Sequence, residues 1–352
     1  KIFMNLSTGM LGSFLAMPFI SSMRHMYNNK NILSHVKYNL NIDIPIKEPK
    51  ILWFSDTIND LNGVSEILKE IGWQAQRNNI KVKILTSLSA DKIDNTIPNN
   101  VVYLPELYDF ELPYYNQINL HIPSILKTLE IIYENQPDKI YISTPGPIGL
   151  VGLLGAYLMN IPAVGIYHTD FQAEAKEIIE DEGVLNYLDK YIKWFYKSTN
   201  RIEVLTSEYL NKLVAEGYDP IKIGYFPKAI DEKYFKFISG ARKIITERYK
   251  IKRGINLLYA GRVSLDKNIP FLLDIFKELN KRYDNINLIL AGSGPYLQEL
   301  EDFAEKYPNI FPLGRIKREK LSEIYSACDI FVFPSNTDTF GNVVIESQAC
   351  NL

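Results

Sequence analysis

Two spacings of apolar residues take turns along the chain from Lys50 onward. Short unbroken runs rich in β-branched and aromatic residues are each followed by a longer stretch in which apolar positions recur at helical spacing. Ile51-Leu52-Trp53-Phe54 is the first run and ends at Ser55-Asp56, with a helix over 64–77 after it. Further strands are predicted at 82–85, 101–104, 139–142, 163–167, 202–205 and 221–226, and helices at 124–133, 148–159, 185–197 and 207–216. The alternation resumes with Leu257-Leu258-Tyr259-Ala260, then strands at 288–291, 310–311 and 330–333 among helices at 269–281, 296–306, 321–327 and 343–349. Strands separated by helices build parallel sheets, so the expected class is α/β with two Rossmann-like domains. The charged stretch Asp231 to Arg253 separates the two series and is expected to bridge them. That gives domains at 49–235 and 236–352. Residues 1–48 stay unassigned, as the end of an upstream domain.

Composition narrows the picture by exclusion. The 352 residues are 46% hydrophobic and 23% charged, with a net charge of -2, which offers no electrostatic footprint for nucleic acid. Two cysteines, Cys328 and Cys350, and four histidines favour neither a disulfide framework nor a metal cluster, and they fit a cytoplasmic setting. The run Ile2 to Met23 carries no charge, but Asn5, Ser7, Thr8, Pro18 and several other polar or small residues dilute it below a good membrane span. The sequence starts at Lys1 and stops inside a helical pattern at Cys350-Asn351-Leu352, so a fragment with an incomplete second domain is expected.

Ligands of open α/β sheets bind at the carboxyl ends of strands, and the chain's chemistry-bearing residues collect there. Asn62-Gly63-Val64 places a glycine where the first strand turns into its helix, letting backbone N–H groups approach an anion; ordinary turn chemistry is the other reading. Gly261-Arg262 and Lys267-Asn268 bracket the corresponding turn of the second series. Their two cations suit a diphosphate, with a solvated surface pair as the alternative. Ala291-Gly292-Ser293-Gly294-Pro295 is a further glycine turn. Near the end, a polar loop carrying Asp338 leads through Phe340-Gly341-Asn342 into a helix that bears Glu346. Carboxylates suit polyol ligands, while a helix-capping or solvated acid is equally open on composition. Thr144-Pro145-Gly146-Pro147 follows one strand, and His168-Thr169-Asp170-Phe171 leaves another. His168 at such a position can hydrogen-bond a ligand or move a proton, or can be structural.

Together these segments resemble the glycosyltransferase family 4 enzymes, retaining transferases of the GT-B fold with two Rossmann-like domains facing a central cleft. The likeness runs from about Lys50 to Leu352 and rests on 144–147, 168–171, Gly261-Arg262, Lys267-Asn268 and the acidic pair Asp338 and Glu346. The Asn62-Gly63-Val64 turn and the His-Thr-Asp-Phe form look most like the branch that glycosylates lipids. The resemblance implies a hexose moved from a UDP- or GDP-linked sugar to a lipid or glycan hydroxyl. It implies that Arg262 and Lys267 hold the donor diphosphate, that Glu346 binds the ribose and that Asp338 binds the transferred sugar, with Phe340, Gly341 and Asn342 approaching through their backbone. His168 would hydrogen-bond the donor sugar, and Gly63 would let its loop reach the phosphates. Asp266 stands where the family usually has Glu, and Lys228-Ala229-Ile230-Asp231 replaces an Arg-Gly-Val-Asp hinge. No metal and no cofactor beyond the nucleotide-sugar substrate is implied. Retention then proceeds by front-face displacement, with a carboxylate nucleophile, Asp338 or Asp170, as the rival.

A GT-B phosphorylase or epimerase shares the architecture, and a catalytically inactive nucleotide- or partner-binding module is the non-enzymatic alternative. Peripheral contact with the inner membrane face is suggested by 187–197, where Tyr187, Tyr191, Trp194, Phe195 and Tyr196 mix with Lys190, Lys193 and Lys197. An ordinary packed helix explains the same pattern.

Overall fold

The computed structural model describes residues 48–59, 63–87, 96–112, 115–176, 179–226, 230, 232–336, 338 and 341–352, with isolated positions between 18 and 40. The reading of 1–48, the hinge positions Lys228, Ala229 and Asp231, and Phe340 therefore lie outside the described residues, apart from those isolated positions and Glu48. Two compact units emerge: one comprises 1–168 and 186–226, the other 169–185 and 227–352. The later boundary falls at 226/227 rather than 235/236, and a segment from the middle of the first series, 169–185, joins the second unit.

The first unit contains β1 (Ile51–Phe54), α1 (Gly63–Arg77), β2 (Val82–Thr86), β3 (Val101–Tyr103), β4 (Glu106–Leu112), β5 (Tyr115–Pro123), α2 (Ile125–Asn135), β6 (Lys139–Ile142), α3 (Pro147–Met159) and β7 (Ala163–Tyr167). After α4 (Phe171–Lys176), which belongs to the second unit, α5 (Glu182–Lys197) returns the chain to β8 (Arg201–Val204), α6 (Ser207–Ala215) and β9 (Ile223–Tyr225). Seven strands form one parallel sheet in the order β3-β2-β1-β6-β7-β8-β9. The sequence runs outward from β1 to β3 and then returns to the other side of β1, so the strand order reverses between β1 and β6. That reversal is where such sheets open a crevice. Central strands are apolar on both faces because helices cover both: Phe54, Ile84, Ile140, Ile142, Ile166 and Val204 are fully buried. Helix α3 lies close on β1, since a Cβ at Gly152 would meet the Phe54 ring at 2.6 Å.

The antiparallel pair β4-β5 stands apart from this sheet and has no counterpart in the predicted elements. Its alternation is blurred by register shifts at both ends and by exposed Leu107 and Tyr108. In α5 the aromatic residues divide. Phe195 and Tyr196 are core, contrary to a wholly membrane-facing helix, while Tyr187 and Trp194 are exposed.

The second unit continues with α7 (Ala241–Tyr249), β10 (Ile255–Ala260), α8 (Ile269–Asn280), β11 (Ile286–Ala291), α9 (Leu297–Lys306), β12 (Ile310–Gly314), α10 (Arg318–Ala327), β13 (Ile330–Phe331) and α11 (Asn342–Ala349). Its parallel sheet runs β12-β11-β10-β13, again with the chain reversing beside its first strand. The charged stretch expected to bridge the domains is instead part of this unit's core. Ala241 and Ile245 of α7 are buried with Leu258 and Ile324, while Arg248 reaches Glu323 at 2.8 Å on the outside. Charge masked this helix in the sequence because only two of its nine residues are fully buried.

Candidate functional site

In the first unit, the end of β1 and the start of α3 are joined by one carboxylate. Asp56 accepts hydrogen bonds from the Thr144 hydroxyl (2.6 Å) and the backbone N–H groups of Gly146 (3.1 Å), Ile148 (2.8 Å) and Gly149 (3.4 Å). Its own N–H donates to Thr144 Oγ1 at 2.7 Å. The first N–H groups of a helix lack intrahelical partners and carry the positive end of its dipole, so an internal anion here replaces an external one. Gly146 is required by this arrangement: a Cβ there would lie 2.5 Å from the Asp56 carboxylate. Burial pushes the Asp56 pKa up to about 6, although each of its hydrogen bonds pulls it down. The α3 N-terminus is thereby occupied from within the protein.

His168 leaves β7 at its carboxyl end and is buried, with 4% of its surface exposed. Its Nε2 is 3.1 Å from Ser143 Oγ, and the same hydroxyl accepts the Trp53 indole N–H at 2.8 Å. Phe226 stands edge-on to both rings, 5.8 Å from His168 and 5.9 Å from Trp53. β1, β6 and β7 are neighbours in the sheet, so residues at their three carboxyl ends meet although 25 and 90 positions separate them. Asp170 accepts from Ala173 N–H at 3.2 Å, capping α4. Gly63 is exposed at the first position of α1.

The second unit gathers most of the remaining candidates after β10. Gly261 adopts φ +146, and the turn continues through Leu265–Lys267 to Asn268 at φ +57 before α8 begins. Arg262 donates to Asp266 Oδ2 at 2.7 Å; Lys267 lies 3.1 Å from Asp338 and 3.7 Å from Asp266. Both cations are mostly covered, at 20% and 13% side-chain exposure, which removes the solvated-pair reading. Glu174 of α4 faces this group. Burial pushes its pKa up to about 7, opposed by Lys267 and Arg262 and reinforced by Asp266 and Asp338. With Glu174 protonated, two cations balance two carboxylates.

Gly341 caps α11 in the left-handed region at φ +63, and Asn342 is its first residue. Glu346, one turn further on, accepts from the Tyr325 hydroxyl at 2.9 Å, so it is tethered to the core rather than solvated. The Gly292-Ser293-Gly294 turn has a packing role: a Cβ at Gly292 would sit 1.8 Å from the Gly261 carbonyl oxygen, and one at Gly294 2.3 Å from that of Val263. Its backbone also holds the Gly261 loop, through Val263 N–H to Ser293 O at 3.0 Å and Tyr296 N–H to Val263 O at 3.0 Å.

Two parallel Rossmann-like sheets, each with charged residues at its strand ends, agree with sequence profiles of known families. Residues 61–234 match "Glycosyltransferase Family 4", and residues 242–352 match "Glycosyl transferases group 1". The chain belongs to this glycosyltransferase family. An alpha-monoglucosyldiacylglycerol synthase of Streptococcus pneumoniae is 24% identical, over 84% of this chain and 68% of its own length. The sulfoquinovosyl transferase of Arabidopsis thaliana is 24% identical over 69% of this chain and 47% of its own length. A GDP-mannose-dependent alpha-mannosyltransferase of Corynebacterium glutamicum is 26% identical over 66% and 53%. This glycosyltransferase chain thus spans two thirds of the first relative and about half of the next two. In fold it is similar to Anabaena HepE, solved in complex with UDP and glucose, at 16% identity and TM-score 0.65 over 86% of this chain and 78% of that one. WaaG, a glycosyltransferase involved in lipopolysaccharide biosynthesis, gives TM-score 0.61 at 16% identity over 86% and 79%. The GT-B class expected from the sequence is the class these neighbours share. Among the described residues no helix is long and apolar enough to cross a membrane.

Proposed function

We propose that this glycosyltransferase moves a hexosyl group from a nucleotide-diphosphate sugar to a hydroxyl of a lipid or glycan, with retention at the anomeric carbon. The observation that carries the reading is the half-buried cluster after β10, where Arg262 and Lys267 lie within one charge network with Asp266 and Asp338. Covered cations held at a strand end can take a diphosphate without first reorganising water, which is how leaving-group charge is best stabilised. Arg262 and Lys267 receive the diphosphate, Glu346 the ribose hydroxyls and Asp338 the hydroxyls of the sugar. Gly341 and Asn342 present backbone to it, and Gly63 gives its loop room near the phosphates. His168 hydrogen-bonds the sugar. The scheme needs no metal, because two side-chain cations and the α11 N-terminus supply positive charge. The departing phosphate oxygen takes the acceptor's proton on the face from which it leaves, so no protein nucleophile is involved.

The lipid acceptor is favoured by the relatives that act on lipids by name, the monoglucosyldiacylglycerol synthase foremost. Exposed Tyr187 and Trp194 lie on one side of α5 with Val184, near Lys190 and Lys197, and this face is the proposed peripheral contact with an anionic membrane. Co-sedimentation with anionic vesicles at low salt tests it, and protein left wholly in the supernatant rejects it.

Calorimetric titration with UDP and with GDP tests the donor site. Binding of one nucleotide, weakened by both Arg262→Ala and Glu346→Ala, is the expected result. Folded protein that binds neither removes the basis for the transferase reading. Proton NMR of the first-formed product reports the anomeric configuration, and release of sugar phosphate on adding inorganic phosphate would select a phosphorylase instead.

A further inference from the structure

The hydrogen bonds behind His168 fix more than its position. An indole N–H is a donor only, so Trp53 takes up one lone pair of Ser143 Oγ, at 2.8 Å. The hydroxyl's own proton must then go elsewhere. Among the described residues its other partner is His168 Nε2, at 3.1 Å. All three side chains are buried: Trp53 is 5% exposed, Ser143 1% and His168 4%. Were Nε2 protonated, the hydroxyl would receive two donors and its hydrogen would be left without an acceptor in a buried site, which is the costly arrangement. The consistent arrangement is a relay in one direction, from Trp53 N–H to Ser143 and from Ser143 O–H to His168 Nε2.

We propose that Trp53 and Ser143 are positioning residues that hold His168 as the neutral Nδ1–H tautomer, so that the imidazole serves sugar transfer as a hydrogen-bond donor and not as a base. With the Nε2 lone pair engaged by Ser143 and Nδ1 carrying hydrogen, the ring has no basic nitrogen free to deprotonate an acceptor hydroxyl. The acceptor's proton must leave by another route, which is what front-face displacement supplies through the departing phosphate. The inference about the ring rests on the relay alone, whereas its use toward a sugar rests on the proposed function. The sheet explains why three residues distant in sequence can do this. Trp53 and Ser143 stand at the ends of adjacent β1 and β6, and His168 directly follows β7 on the far side of β6.

The two parts separate experimentally. Long-range proton–nitrogen correlation on protein labelled with nitrogen-15 in its four histidines reads the tautomer without any substrate, and a His168→Gln sample assigns the signal. The expected spectrum at neutral pH has an acceptor-type Nε2 and a proton-bearing Nδ1. In Ser143→Ala the acceptor-type Nε2 resonance should be lost, and Ser143→Thr, which keeps the hydroxyl, should restore it. Trp53→Phe keeps an aromatic ring while freeing the hydroxyl, and should give a mixture of tautomers even if Ser143→Ala folds poorly. A proton-bearing Nε2 in the unmodified protein, or a tautomer indifferent to both Ser143→Ala and Trp53→Phe, overturns the proposal. In the transfer assay, Ser143→Ala should lower kcat with little change in KM, and Ser143→Thr should recover it. The expected tautomer in a protein that fails to transfer sugar would uphold the relay and discard only the transferase reading.

Discussion

Replacing Asp56 by asparagine separates two opposing effects at the α3 N-terminus. Four hydrogen bonds to the carboxylate favour its ionised form, while burial disfavours it, and burial prevails, raising the pKa from 3.8 to about 6. The folded protein therefore binds this proton more tightly than the unfolded chain does. Between the two values the native state holds a proton that the unfolded state has released, so stability falls as pH rises through that window. At about 1.4 kcal/mol per pH unit the rise sets a ceiling of about 3 kcal/mol, approached from below because Asp56 keeps some solvent contact. Asp56→Asn has no proton to exchange. Its amide also matches the N–H groups less well, but that offset does not vary with pH. Urea unfolding of both proteins from pH 4 to pH 7.5 should show the original chain losing up to about 3 kcal/mol relative to Asp56→Asn as pH rises, with the difference flat above pH 7. A difference that moves the other way, with the original chain gaining on the variant as pH rises, would show that the helix N–H groups outweigh burial and would refute the reasoning.

Three further outcomes follow from the second unit. Nucleoside diphosphate should bind more weakly as pH rises through about 7, because ionised Glu174 adds negative charge beside Arg262 and Lys267; in Glu174→Gln, titrated by calorimetry in parallel, that loss should be absent. Gly292→Ala forces a Cβ against the Gly261 carbonyl and should cost about 1–3 kcal/mol by thermal denaturation, with weaker nucleotide binding as the Arg262 loop shifts. Tyr325→Phe removes the hydroxyl that donates to Glu346. A stability loss of about 1–2 kcal/mol and a raised nucleotide Kd are expected, measured by denaturation and calorimetry.

Much of the fold was legible because burial on both faces of a parallel strand writes an unbroken apolar run, as at Ile51–Phe54 and Ile286–Ala291. What escaped was structure whose burial is partial or whose partners are distant. Helix α7 buries too few residues to stamp a period on a charged segment, and α4 is only six residues long. Among site residues, Arg262, Lys267 and Asp338 are brought into one network as their strand-end placement suggested. Asp56, Ser143 and Trp53 gave no comparable signal, since each acts through a partner some 25 to 90 positions away. Asp56 directly after a strand and Thr144 after another were visible, but pairing them requires knowing that β1 and β6 are neighbours. Glu174 lacked even that clue, because its segment joins a unit whose other residues begin at Pro227.

That last assignment bears on how this protein can be recombined. A chimera joined once, at 226/227, would inherit Arg262, Asp266, Lys267, Asp338 and Glu346 from one parent but the residue at position 174 from the other. The residue facing the inherited charge cluster would then be whatever the recipient's α4 carries. A donor-specificity swap made by a single junction would transplant the cations without the acid that faces them, and a faithful graft must carry 169–185 as a second, separate insert.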